Sequence, residues 1–149
     1  MTTVALAPID DSNKTACIAL SVHTEQLPFV ATNERSLAQA SDNSKMNPLA
    51  ILADGQMVGF AMWEARSPKI VSIHRVMIDR CYQRQGYART AMQNLITQIS
   101  HLGYATVYLS FKPENLAARH LYEGLGFVFQ EKEADGELLY RRGPKAALP

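Results

Sequence analysis

The stretch Ile70-Val71-Ser72-Ile73-His74-Arg75-Val76-Met77-Ile78, continuing as Asp79-Arg80-Cys81-Tyr82-Gln83-Arg84-Gln85-Gly86-Tyr87-Ala88-Arg89, decides how the rest of the chain is read. Its first part is rich in β-branched and apolar side chains, which favour an extended strand. From Ala88 onward the spacing changes. Ala88, Ala91, Met92, Leu95, Ile96, Ile99 and Leu102 recur at steps of three and four, which predicts a long amphipathic helix, and Gly103 stops it. Thr106 to Phe111 returns to strand. A strand, loop, helix and strand unit from Ile70 to Phe111 therefore forms the centre of a mixed α/β domain.

Working outward, Val4 to Ile9 reads as a short strand closed by Pro8 and the turn-prone Asp10, Asp11 and Ser12. Asn13 to Val22 has a helical spacing, Pro28 breaks the chain, and Thr32 or Asn33 caps a second short helix with Leu37, Ala38 and Ala40. Asn43 to Asn47 is a polar connection. Leu49 to Ala53, Asp54-Gly55 and Met57 to Trp63 give a hairpin, because Asp-Gly supplies the positive φ values of a tight turn. On the other side of the centre, Asn115 opens a helix with Ala118, Leu121, Tyr122 and Leu125 inward, and Gly126 ends it. Phe127 to Gln130 and Glu137 to Tyr140 read as two last strands joined through Asp135-Gly136. Residues 1–142 form one domain, and 143–149 are expected to be a flexible tail without a core-forming pattern.

Composition narrows the function. A chain of 149 residues with 47% hydrophobic and 19% charged side chains is neither a disordered tail nor a membrane bundle. Fifteen Lys and Arg against fourteen Asp and Glu leave a charge of +1, so no global basic field draws nucleic acid. Neither a secretory leader nor a membrane-length apolar run is visible, so the expected location is cytoplasmic with no membrane partner. Cys17 and Cys81 lack CxxC or metal-ligand spacing and are expected to be free thiols. His23, His101 and His120 do not cluster with carboxylates, so no metal is expected.

The chemistry concentrates between the central strand and the long helix. A loop entering a helix through Gly86-Tyr87-Ala88 exposes unpaired N–H groups at the positive end of the helix dipole, and such an end binds anions. Gly86 lets the main chain approach a phosphate, Ala88 keeps the next contact small, and Arg80, Arg84 and Arg89 add charge. An ordinary strand-to-helix turn with solvated arginines explains the loop alone about as well. No GxxxxGK[ST] or GxGxxG motif is present, which disfavours a P-loop nucleotidase or a dinucleotide site.

Gln83-Arg84-Gln85-Gly86-Tyr87-Ala88 resembles the Gln/Arg-x-x-Gly-x-Gly/Ala pyrophosphate loop of the GNAT superfamily of N-acetyltransferases. Asn115, Ala118, Tyr122, Gly126 and Phe127 match the family's second pattern, N-x-x-A-x-x-x-Y-x-x-x-G-F, at the expected distance. Further phrases, among them Val58-Gly59-Phe60-Ala61-Met62 and Arg75-Val76-Met77-Ile78-Asp79, are similar to the bacterial spermine/spermidine (diamine) branch. Two positions depart from that pattern: His74 stands where an acidic residue is usual, and Arg84 where the loop is often small.

The resemblance implies a single-domain fold, a mixed central sheet of about six to seven strands flanked by about four helices, with a splayed central strand pair. It implies acetyl-CoA as co-substrate, no metal, a small-molecule amine as acceptor and a homodimer. Met77 and Ile78 are expected to hold the pantetheine arm and polarise the thioester carbonyl. Gln83, Arg84, Gln85, Gly86, Tyr87, Ala88 and Arg89 take the pyrophosphate, and Asn115 touches the arm or caps its helix. Tyr122 is the expected general acid, a phenol being a proton donor at neutral pH; without the motif it reads as an ordinary core residue. Glu25, Glu34 and Glu64 are candidates for holding the acceptor or drawing a proton from it through water, His74 is a further candidate at the acceptor and a further possible base, and none is singled out as the base. Another amine acceptor, such as a protein N-terminus, an amino acid or an aminoglycoside, stays open, as does a CoA-responsive module without catalysis.

Overall fold

A computed structural model describes residues 2–149. Its strands are β1 (Val4–Pro8), β2 (Met46–Ala53), β3 (Gln56–Ala65), β4 (Ile70–Ile78), β5 (Thr106–Phe111), β6 (Val128–Lys132) and β7 (Leu138–Arg142). The helices are α1 (Lys14–Ala19), α2 (Asn33–Ser41), α3 (Tyr87–His101) and α4 (Leu116–Gly124), with a 3-10 turn at Thr24–Phe29. All seven strands form one sheet in the order β1-β2-β3-β4-β5-β7-β6. Only β4 and β5 run parallel; every other pair is antiparallel. The mixed α/β class and the strand and helix numbers expected from sequence hold.

The sheet separates two cores. On one face α3 buries Ala91, Met92, Leu95, Ile96 and Ile99 against Val71, Ile73, Val107 and Leu109. Leu102, expected on that apolar face, caps the helix and points to solvent. On the other face α1 and α2 bring Cys17 and Leu37 onto Ala50, Phe60, Met62 and Met77. Phe60 and Trp63 are core residues.

The Asp54-Gly55 turn forms as expected, with φ of 49° and 81°. β2 starts at Met46, inside the segment read as a polar connection. Pro48 is tolerated there because β1 runs out at the Pro8 to Leu49 pair, so the missing N–H costs no ladder bond. Residues 143–149, expected to be free, instead lie across the sheet without regular structure. Thr106 donates to the Pro144 carbonyl, Tyr108 to that of Ala146 and Arg66 to that of Pro149, and Ala146 and Leu148 cover Ile70, Tyr108 and Leu139. The segment lacks a hydrophobic repeat because it docks mainly through its main-chain oxygens.

Candidate active site

β4 and β5 pair only from Ile70↔Thr106 to Ile73↔Leu109. Beyond Ile73 they separate, and the cause lies on the opposite edge of β4. In the β3–β4 register Trp63 faces Ile73 and Met62 faces Arg75, so His74 is an extra, bulged residue. A bulge bends and twists its strand, here away from β5. The result is a cleft of about 550 Å³ whose lining includes His74 to Ile78 on one wall and Ser110, Phe111, Asn115 and Tyr122 on the other.

The register also fixes which main-chain groups face the gap. Asp79 N–H donates to the Val58 carbonyl at 2.8 Å, and Gly59 stands opposite Ile78. That phase makes Phe60 and Met77 a hydrogen-bonded pair and turns the N–H and C=O of Val76 and Ile78 the other way, into the cleft. The Met77 carbonyl lies so close to Gly59 that a Cβ there would come within 2.3 Å of it. Met77, expected to share the arm-binding role with Ile78, thus has its main chain directed at β3, and Val76 is the residue that presents its main chain to the cleft. Its side chain still lines the cleft. The Ile78 carbonyl accepts from Gln83 Nε2 at 2.9 Å, which leaves the Ile78 N–H free.

At the mouth of the cleft the loop winds through two left-handed residues, Arg84 (φ 64°) and Gly86 (φ 80°), before α3 begins. Among the described residues, no protein acceptor receives the N–H of any residue from Gln83 to Arg89. Alternating left-handed residues at a helix start concentrate such donors into an anion-binding concavity. A Cβ on Gly86 would meet nothing within 4 Å, so the glycine serves the backbone conformation and keeps the approach open. Gln83 is clamped by a reciprocal amide pair with Gln26 (2.8 and 3.1 Å), tying the 3-10 turn to the loop. Gln85 accepts from the Tyr87 hydroxyl at 3.0 Å. Arg84 and Arg89 line the cleft, whereas Arg80 does not.

Asp79, a residue the sequence reading used only as a strand end, holds this corner together. Its carboxylate accepts from the N–H groups of Ser21 (2.8 Å) and Cys81 (3.0 Å). Burial alone would raise its pKa, but those bonds outweigh it and keep the carboxyl below its ordinary value. Cys17 is buried and Cys81 exposed, both as free thiols.

Tyr122 sits on the cleft side of α4, and the Tyr-x-x-x-Gly-Phe spacing explains how. Gly126 adopts φ 91°; its N–H bonds the Glu123 carbonyl, and Phe127 N–H bonds that of Tyr122 at 3.0 Å. This is a Schellman cap, whose apolar contact is made by Phe127 against Tyr122, ring centroids 5.7 Å apart. Phe111 packs on the ring from another side, also at 5.7 Å. The phenol is 9% exposed, lines the cleft and has no protein hydrogen-bond partner among the described residues. Burial pushes its pKa well above the ordinary tyrosine value, so it stays protonated. Asn115 accepts from Ala118 N–H at 3.1 Å, capping α4, and it also lines the cleft.

The four acceptor-side candidates separate. Glu64 and His74 meet at 2.8 Å, with Asn43 donating to the other Glu64 oxygen at 3.0 Å. Glu34 stands at a smaller cavity of about 200 Å³, between α1, the 3-10 turn and α2, which shares Val22, Val30 and Met77 with the cleft. Glu25 is exposed and lines neither cavity. Glu133 and Glu137, read from sequence only as connection and strand, stand behind the Ser110 wall and line neither cavity. Ser110, on the cleft wall, donates to Glu133. Burial, then the nearby Asp135 and Glu133, raise the Glu137 pKa. Alternating acidic residues around Asp135-Gly136 were the available signal.

A sheet split beside an amide-lined helix start offers an anion site at the helix end and an open strand edge for an extended, hydrogen-bonding arm. The chain belongs to the acetyltransferase (GNAT) family, whose family model matches residues 4–127. It is 28% identical over 143 residues to the spermine/spermidine N(1)-acetyltransferase of Bacillus subtilis strain 168, covering 90% of this chain and 94% of that protein. It is 29% identical over 117 residues to the ribosomal protein bS18-alanine N-acetyltransferase of Escherichia coli K12, covering 78% of each. Among solved structures, an N-acetyltransferase from Thermoplasma acidophilum in complex with coenzyme A has a TM-score of 0.76 at 12% identity, over 95% of this chain and 99% of that one. That last likeness is one of fold.

Proposed function

We propose that this chain moves the acetyl group of acetyl-CoA to a primary amine of a polyamine or diamine. The observation that carries the reading is the run of unbonded amides from Gln83 to Arg89 opening into the gap where β4 leaves β5. The donor set fits the carrier: amides and two arginines suit a diphosphate, and the open edge of β4 suits an amide-bearing arm. The cofactor residues are then Gln83 to Arg89, Asn115, and the main chain of Val76 and Ile78.

Acetyl-CoA supplies an activated acyl group. Val76 and Ile78 present N–H groups to the carbonyl oxygen on which negative charge builds up. Tyr122 gives its proton to the departing sulfur. The acceptor, an aliphatic amine of pKa about 10.4, must lose a proton before it attacks. Carboxylates at Glu34, Glu133 and Glu137, around the cleft, suit a ligand with several ammonium groups, since a desolvated cation needs a partner. The similarity to the Bacillus enzyme supports the same acceptor class.

A protein N-terminus is the second reading, favoured by the similarity to the bS18-alanine enzyme. Thiol release from acetyl-CoA separates the two. Turnover with spermidine, spermine or putrescine is expected; turnover confined to a peptide beginning with alanine would replace the polyamine reading. Binding of CoA with no turnover on any amine would leave only a CoA-responsive module. The reading further takes the protein as a cytoplasmic homodimer working without metal, nucleic acid or membrane. No described helix is long and apolar enough to cross a membrane, and no described cluster of His, Cys, Asp and Glu is suited to a metal. The exposed edge strand β6, with Val128 and Phe129 at 57% and 49% exposure, is a surface a second copy would cover; sedimentation as a monomer would remove the dimer.

A further inference from the structure

We propose that His74 is the base that deprotonates the acceptor amine and that Glu64 is its positioning residue. The inference rests on the acetyl-transfer reading above and assigns the proton acceptor that reading leaves open.

Glu64 Oε1 lies 2.8 Å from His74 Nε2, and Glu64 Oε2 is fixed by Asn43 Nδ2 at 3.0 Å. An ionised carboxylate only accepts, so this contact places a hydrogen on Nε2, and in the neutral ring the lone pair is then on Nδ1. The His74 side chain is 27% exposed and the residue lines the cleft. Its position follows from the bulge, which adds His74 to β4 at the point where β5 departs. Val76, whose N–H faces the cleft, is two residues further on, so the two Cα atoms lie about 6 to 7 Å apart. A nitrogen attacking a carbonyl held at Val76 is thus within reach of the ring.

Glu64 itself is the weaker candidate. Its burial would raise its pKa, but hydrogen bonds from His74 and Asn43 outweigh that and hold the carboxyl below its ordinary range. Both oxygens are already engaged. The other charges around the ring are Arg66, just past the end of β3 and 3.9 Å from Glu64, and Arg75 on β4. Arg75 is directed away, onto the His74 carbonyl (2.8 Å), Ser36 (3.2 Å) and Gln39 (3.2 Å), with Glu137 as the nearest acidic influence.

In the step itself, Nδ1 takes one proton from the ammonium, and the freed lone pair forms the C–N bond. The C–S bond breaks, and sulfur leaves with its electron pair and takes the Tyr122 proton. The surplus proton on nitrogen restores Tyr122, and the imidazolium returns its proton to water.

The test compares wild type with His74→Gln and Glu64→Gln by thiol release from acetyl-CoA. Spermidine and an alanine-starting peptide serve as amines across pH 6 to 10, alongside calorimetric titration with CoA and a thermal melt. His74→Gln is expected to lower kcat about 100-fold or more, keep CoA affinity, and lose the imidazole limb of the profile, so that the rate rises only towards the amine's own pKa. Glu64→Gln lowers kcat about 10-fold while KM for the amine stays near wild type, the split expected of a positioning residue. A His74→Gln enzyme within about twofold of wild type at every pH, with the same profile, overturns the base assignment while leaving acetyl transfer intact. A wild type that releases no thiol with either amine overturns both.

Discussion

The two halves of β4 are built for different ends. Ile70 to Ile73 has β5 alongside, and its inward residues Val71 and Ile73 are sealed between α3 and the neighbouring strands. His74 to Ile78 has β3 on one side and an open cleft on the other, with Val76 and Ile78 keeping polar main-chain groups unpaired there. A single bulge residue separates a half whose substitution is expected to cost stability from a half whose substitution, on the proposed function, costs binding or chemistry. The same division runs through α4, where the Schellman cap at Gly126 belongs to the fold and the phenol it positions faces the cleft.

If the division is right, effects should fall on one side or the other. Tyr122→Phe is expected to lower kcat about 100- to 10,000-fold while CoA affinity and melting temperature stay near wild type, read by steady-state kinetics and calorimetry. Gly86→Glu puts a carboxylate and a left-handed non-glycine residue where the diphosphate is proposed to bind. CoA affinity should drop by about 100-fold or more, with a stability cost of only about 1 kcal/mol. Leu109→Ala, on β5 opposite Ile73 of the paired half, should cost about 2 to 5 kcal/mol in denaturant unfolding and leave CoA affinity of the folded protein unchanged.

Asp79 sharpens the comparison at the boundary. Its depressed pKa means that its contribution is fully present above the unfolded carboxylate value, near 4, and is lost as pH falls through the folded one. The melting-temperature gap between wild type and Asp79→Asn, a few degrees at pH 7, should therefore narrow in acid. At the small end, Cys81→Ser should change turnover less than about twofold, since the route proposed here forms no acetyl-cysteine.

Much of this was legible in sequence because it is local. The Asp54-Gly55 turn, the α3 periodicity and the Tyr122 to Phe127 spacing each carry their geometry within a few residues. The bulge at His74 was not legible: it arises from the register of β3 against β4, which depends on the whole ladder. With it went the identity of the cleft-facing amides, so Met77 was expected where Val76 stands. The docked segment 143–149 was hidden for a related reason, since main-chain oxygens meeting Thr106, Tyr108 and Arg66 leave no hydrophobic pattern to read. Glu64 and His74 were visible as residue types, but their pairing needed two neighbouring strands.

Amide hydrogen exchange with and without CoA addresses the central claim most directly. Slowed exchange at residues 83 to 89 and at Val76 and Ile78, with Ile70 to Ile73 and Thr106 to Leu109 unchanged, is the expected pattern. CoA that leaves residues 83 to 89 unprotected, or protects only the paired half of β4, would contradict the account.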